Sequence, residues 1–323
     1  MKNYIKQSKA FSMLELVMVI VILGIVASIG SSVIANIYEN YVLQKAIHNS
    51  SLKTELAAQQ IANLLSYRVR GTALARNPNN LSDNYMLFTS SAAKDDSHTL
   101  IEWIGSDADG FSSSLPPSWN GFCDITASSQ TSVVSPGSSL TLANSIMANL
   151  SNNAVSLDAG EDPAIFFRHQ LYAKDSNHSI EVKYEALSDD GTTGCMGIVD
   201  DDKTCISTVI RNGDEILDFS GTAAGSNNKV IAEHYKLAWT SYAIRPVEVE
   251  VGAKLFDLVL YTNYRPWEGS KLSDGWPATS STIIKNVSVF KFTESGNTLR
   301  FKICAQESIG GEFNITSCKE KAV

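Results

Sequence analysis

Hydrophobic positions change their spacing twice along this chain. From Leu16 to Tyr38 a run of 23 residues, rich in Leu, Val, Ile and Ala, carries no charge. A helix needs about 20 such residues to cross a bilayer. From Asn36 onward the apolar residues thin out to Ile37, Tyr41, Leu52, Leu56, Ile61, Leu64 and Leu65, with Glu39, Lys45, Lys53, Glu55 and Arg68 between them. That spacing predicts an amphipathic continuation of the same helix, with Gly71 as its stop. From Phe11 to Arg70 the helix holds 60 residues, about 90 Å at 1.5 Å per residue. No Pro falls in its apolar half, and Gly30-Ser31-Ser32 is its expected weak point, because Gly/Ser pairs are sites of kinking.

Beyond the helix the pattern shortens. Residues 77–139 are rich in Ser, Asn, Asp, Gly and Pro, with short strand candidates at Tyr85–Phe88 and Thr99–Ile104. Ala143, Ile146, Met147 and Leu150 mark a short helix. Better strands follow at Ala164–Leu171, Ser179–Ala186, Cys205–Arg211, His234–Ile244 and Lys254–Thr262. The clearest signal is a hairpin, Ile283–Phe292 and Thr298–Ile303 around Glu294-Ser295-Gly296-Asn297, where Leu299, Phe301 and Ile303 alternate with Arg300 and Lys302. The fold class read from this is α+β, a long helix laid against an antiparallel sheet. The expected segments are a leader at 1–10, an apolar helix at 11–38, an amphipathic helix at 39–71, a loop-rich lobe at 72–160 and a sheet head at 161–323.

One acid changes the meaning of the apolar run. A leader carrying Lys2, Lys6 and Lys9 ends in Ala10-Phe11-Ser12-Met13-Leu14-Glu15. A charge at the centre of a spanning helix costs about 2.5–3.5 kcal/mol. Glu15 sits nearer the end and costs less, yet it needs a reason. A secretory signal has an apolar core of about 7–15 residues ahead of its small-residue site; here the small residue comes first and the run is longer. A plain signal anchor shares leader and length and leaves Glu15 unexplained.

The combination resembles the N-terminus of type IV prepilins and type II secretion pseudopilins. The matching features are the basic leader, small Ala10, Phe11, Glu15 four residues later and the unbroken apolar helix. Most members carry Gly where this chain has Ala10, and Ala is a tolerated variant. The resemblance implies cleavage between Ala10 and Phe11 by a prepilin peptidase, which also methylates the new Phe11 amine with S-adenosylmethionine. The chain itself is expected to use no cofactor. That ammonium could neutralise Glu15 of its own or a neighbouring helix, a pairing strengthened in the low dielectric of a bilayer. The resemblance further implies partners: other pilins or pseudopilins through the helix, and an inner-membrane assembly platform. It places the N-terminus in the cytoplasm and the head in the periplasm, with later passage into a filament.

Charge and cysteines narrow the picture. The formal charge is −8, and removing the three leader lysines leaves 23 basic against 34 acidic residues, or −11. Such a head is unsuited to general nucleic-acid binding, which needs clustered Lys and Arg. Five cysteines in an exported chain suggest disulfides. Cys304 and Cys318 flank a Gly310-Gly311 loop, and Cys195 and Cys205 bracket an acidic turn-rich segment. Cys123 is left over, either buried or an alternative partner for Cys195. A bridged C-terminal loop is frequent in the pilin family, which supports the first pair. No Cys-x-x-Cys or His-x₃₋₅-His spacing suggests zinc.

The remaining motifs are weak. Asp107-Ala108-Asp109-Gly110 and Asp200-Asp201-Asp202 lack the Glu that completes an EF-hand loop and read as solvated turns. Asn314-Ile315-Thr316 and Asn177-His178-Ser179 fit a glycosylation acceptor by spacing alone. His48, His98, His169, His178 and His234 are scattered, without an H-E-x-x-H, G-x-S-x-G or phosphate-loop context. No enzyme is expected. Trp119, Trp267 and Trp276 sit among Pro and Gly, as partner contacts or as loop-anchoring core residues in equal measure. The leading expectation is a minor pilin or minor pseudopilin, with a size and C-terminal hairpin similar to large minor pilins and J-type pseudopilins. The alternatives are a filament-displayed adhesin acting through the 72–160 lobe and an enzyme on a borrowed anchor.

Overall fold

The computed structural model describes residues 12–323 apart from 70–71, 79, 88–97, 112–115, 130, 159, 168–170, 175–179, 184–205, 221–229, 249–253, 269–271, 273–278, 296–297 and 310–313. Among the described residues, a helix of 54 residues, α1 (Met13–Ser66), leads into sixteen strands, a second α-helix and a short 3-10 helix (Pro266–Glu268). Helical structure runs without interruption through Gly30, Ser31 and Ser32, where the Ser32 hydroxyl donates to the Ile29 carbonyl at 2.8 Å.

The main body is an eight-stranded antiparallel sheet in the order β16-β15-β14-β13-β12-β3-β1-β2. Its members are β1 (Leu74–Asn77), β2 (Asn80–Leu87), β3 (Leu100–Gly105), β12 (Thr240–Glu248), β13 (Phe256–Tyr264), β14 (Thr279–Ser295), β15 (Thr298–Ser308) and β16 (Asn314–Ala322). The expected hairpin is present, with β14 and β15 paired as far as Ser295 opposite Thr298. Leu299, Phe301 and Ile303 are buried toward α1 while Arg300 and Lys302 are exposed. Together with Phe290, Trp103, Ile244 and Leu258 they form one core, closed on the helix side by Ala57, Ala58, Ile61 and Leu65.

A second core lies in a lobe. It holds α2 (Leu140–Leu150) and the five-stranded sheet β11-β5-β8-β9-β4, made of β4 (Ser132–Val134), β5 (Ala164–Phe167), β8 (Ile206–Arg211), β9 (Ile216–Phe219) and β11 (Tyr235–Ala238). A separate three-stranded sheet joins β6 (Leu171–Lys174), β7 (Ile180–Lys183) and β10 (Val230–Ile231) in the order β10-β6-β7. These strands redraw the boundary expected at 160. β1, β2 and β3 belong to the large sheet, and the described elements from β4 to β11 fall in sequence between β3 and β12, which pair directly with Thr240 opposite Gly105. The loop-rich composition after residue 72 marks short strands; it does not mark a change of unit. The segment expected as one strand at His234–Ile244 divides at Trp239, β11 serving the lobe and β12 the large sheet.

On the large sheet the buried side chains of Arg76, Glu102 and Tyr264 pair with one another. Arg76 Nε donates to Glu102, and the Tyr264 hydroxyl donates to the other Glu102 oxygen at 2.9 Å. Burial, reinforced by the Glu102 charge, pushes the Tyr264 phenol well above its ordinary value.

Cys304 and Cys318 stand opposite each other in the β15–β16 ladder and are bonded. Cys123 is buried, with its sulfur 3.4 Å from the Ser128 hydroxyl. The proposed Cys195–Cys205 pair lies outside the described residues. The bridge closes a loop between cysteines 14 residues apart, and loops of that length contribute about 3 kcal/mol by restricting the unfolded chain. Replacing both cysteines with Ala should lower head stability by about that amount, measured by denaturant unfolding followed through Trp fluorescence.

Candidate functional site

The feature with most functional content is α1, from its first turn to its seat on the sheet. Ser12 caps the helix, with the Glu15 N–H donating to its hydroxyl at 3.2 Å and the Leu16 N–H to its carbonyl at 3.1 Å. Ser12-x-x-Glu15 has the spacing of a capping box, a local signal separate from the resemblance that first drew attention to Glu15. The exposed Glu15 carboxylate lies in the first turn, where unpaired N–H groups and the helix dipole favour negative charge. Local helix physics therefore gives Glu15 one reason to be there that needs no partner. Ala10 and Phe11 lie outside the described residues.

From residue 13 to residue 49 nothing in the helix is buried. Leu16, Ile20, Leu23, Ile29, Ile34 and Tyr38 are all more than half exposed. The stretch rises about 55 Å clear of the head. It is the one described helix long and apolar enough to span a membrane. Water is a poor environment for it, since burying a side chain of this size gains about 1.5–3 kcal/mol.

The seat begins at Ser50. The buried positions are Ser50, Thr54, Ala57, Ala58, Ile61 and Leu65, one stripe along the helix. This corrects the expected face: Ile61 and Leu65 are in it, but Leu52 and Leu56 point away, and Leu56 is 62% exposed. Small residues let the helix lie close to a sheet whose Phe, Ile and Trp side chains supply the bulk. Three ion pairs hold the flanks. Lys53 meets Glu307 at 3.1 Å, and Glu55 meets both Lys319, at 3.6 Å, and Lys321. Lys321 beside it holds the Glu55 carboxyl below its usual range, with Lys319 helping. At the helix end the buried Arg68 donates to the carbonyls of Leu65 and Val323 and lies 3.9 Å from Glu294.

The same end is tied to the lobe. The Ser106 N–H and hydroxyl both donate to the Tyr67 carbonyl, at 2.8 and 2.7 Å. The next residue, Asp107, is buried: its carboxylate accepts from the Gly110 N–H at 3.1 Å and from the Trp119 indole at 3.0 Å. The turn expected to be solvated is thus an internal anchor. Burial pushes the Asp107 carboxyl up to about 6, opposed by the Gly110, Trp119 and Trp239 donors, with Asp109 adding a smaller upward push. Trp119 and Trp267 are core residues, 1% and 3% exposed, so their positions among Pro and Gly anchor loops. Trp276, Asp200–Asp202 and Asn177 lie outside the described residues, while Asn314 and Thr316 lie exposed on β16. Of the histidines, His48 and His234 are exposed and His98 is half-buried; His169 and His178 lie outside the described residues.

No protein-family model, curated protein or solved structure matches this chain.

The raised Asp107 carboxyl fixes a pH dependence. The folded state holds this proton more tightly than the unfolded chain, so its contribution is complete below about pH 4 and is lost as pH rises through about 6. A shift of roughly two units corresponds to about 3 kcal/mol. Urea midpoints measured from pH 4 to pH 7 should fall by a corresponding amount, and Asp107→Asn should flatten that slope.

Proposed function

We propose that the chain is a structural subunit of a type IV pilin-like filament, a minor pilin or minor pseudopilin. In this reading it inserts in the inner membrane with its head in the periplasm. A prepilin peptidase trims it between Ala10 and Phe11 and methylates the new amine, and the subunit then moves from the bilayer into a filament of related subunits. One observation carries the reading: the head leaves residues 13–49 of the helix uncovered, and the charge-free apolar run Leu16–Tyr38 lies within that stretch. A bilayer covers such a surface first, and the helices of neighbouring subunits can cover it afterwards.

The paired seat supports the same reading. A subunit drawn out of a membrane must keep helix and head together, and three flanking ion pairs with a bridged edge strand suit that demand. The capped Glu15 keeps a charge at the apolar end, where an ammonium from a trimmed Phe11 can meet it.

Two measurements test this. Protein extracted from membranes of cells with an active prepilin peptidase should have the mass of a chain starting at methylated Phe11; an intact Met1 counts against the proposal. Glu15→Gln keeps the polar shape near the cap and removes the charge. It should insert normally yet enter sheared filaments several-fold less than the parent, and unchanged incorporation would exclude the pairing role.

A further inference from the structure

Below the helix seat the large sheet divides. β14 pairs with β15 from Ser295 back to Val287, where Ala305 is the partner. From Asn286 back to Thr279 it pairs with β13 alone. On its other side no strand lies among the described residues. β15 diverges in the same place, where Gln306, Glu307 and Ser308 pair only with β16. The division leaves an opening of about 490 Å³, with Thr282–Asn286 on one wall, Ala305–Glu307 on the other and the Ser50–Gln60 side of α1 alongside.

Three observations point to what fills it. First, Thr279-Ser280-Ser281-Thr282 are all exposed, although their side chains alternate between the two faces. Among the described residues nothing covers this half of the strand on either face or along its outer edge. An edge of this kind is a template for a further strand, and proteins that avoid such pairing blunt it with charge, Pro or bulges. Here the guards, Lys285 and the left-handed Asn286 (φ 57°), stand at the inner end only. Second, Ser50 is 2% exposed and lines the opening, yet its hydroxyl has no hydrogen-bond partner. Third, Lys285 is exposed in the same wall and forms no ion pair with any described residue.

We propose that this edge receives an extended segment of a different polypeptide, added as a strand beside Thr279–Asn286. Backbone N–H and C=O groups supply the affinity, and alternate side chains supply the selectivity. Residues of the added strand facing α1 meet Leu56, Ala57 and Ile284 and are apolar. Those facing outward are polar, and a carboxylate near Lys285 completes the match. The site is independent of the apolar half of α1, so it stands whether or not the filament reading does.

The test uses the full chain in detergent micelles and a capped octapeptide alternating Val and Thr with one Asp. Pairing in an antiparallel ladder alternates, so one of the Ser281 and Thr282 amides faces the open side. That amide should exchange fast in the chain alone and about tenfold more slowly with peptide. An N-methylated peptide should have no effect. Proline at the position of the outward amide should leave Trp fluorescence and the Cys304–Cys318 bridge unchanged and abolish the peptide effect. The inference is overturned if both amides are already slow without peptide, or if millimolar peptide protects neither. It is also overturned if protein concentration alone brings the protection, which would assign the edge to a second copy of this chain.

Discussion

An apolar helix that its own head leaves uncovered sets the terms for this molecule. Each large side chain between Leu16 and Tyr38 is more than half exposed except Val33, itself nearly so. The hydrophobic effect that closes the two cores of the head therefore acts on this stretch without being satisfied inside the chain. A surface of that extent calls for an apolar cover, which in the reading proposed above is hydrocarbon first and the same surface on other helices afterwards. The head has the complementary task of holding such a helix by its far end without sheathing it.

It does so by an inversion of the usual division of bulk. Helices that pack on sheets commonly bring large side chains, whereas α1 brings Ser50, Thr54, Ala57 and Ala58 and leaves the volume to Phe290, Phe301, Ile303 and Trp103. Close approach follows, and with it the reach needed for Lys53, Glu55 and Arg68 to find partners on β14, β15 and β16. The exposed pairs are individually weak. Their value lies in fixing the rotation of the helix, since a turn about its axis would trade the small-residue stripe for Leu52 and Leu56.

The legible parts of the fold were those where one physical signal dominated. The length and polarity of α1 and the β14–β15 hairpin were readable because period and alternation each pointed one way, whereas the Cys304–Cys318 bridge needed the pilin resemblance beside its spacing. β16 escaped because its helix-facing positions include Lys319 and Lys321. Those lysines answer Glu55, and a strand whose inward face is cationic shows no apolar alternation. β1, β4 and β9 are three or four residues long, too short for a period to emerge. Leu52 and Leu56 misled for the opposite reason: they keep a helical spacing but belong to the outward side. The Ser12-x-x-Glu15 cap was present in the sequence and was hidden behind the stronger question of why an acid should precede an apolar run. Asp107 could not have been recognised as buried, because its Trp119 and Trp239 partners are distant in sequence.

The junction of β3 with β12 has one more consequence. Gly105 and Thr240 face each other across the ladder, so the two ends of the inserted lobe leave and re-enter the scaffold side by side. A short turn could join them without disturbing the large sheet, and a lobe of another shape could be spliced at the same point. The chain thus enters and leaves the lobe at a single seam, so a change of the lobe's length or shape need not break any strand pairing of the large sheet.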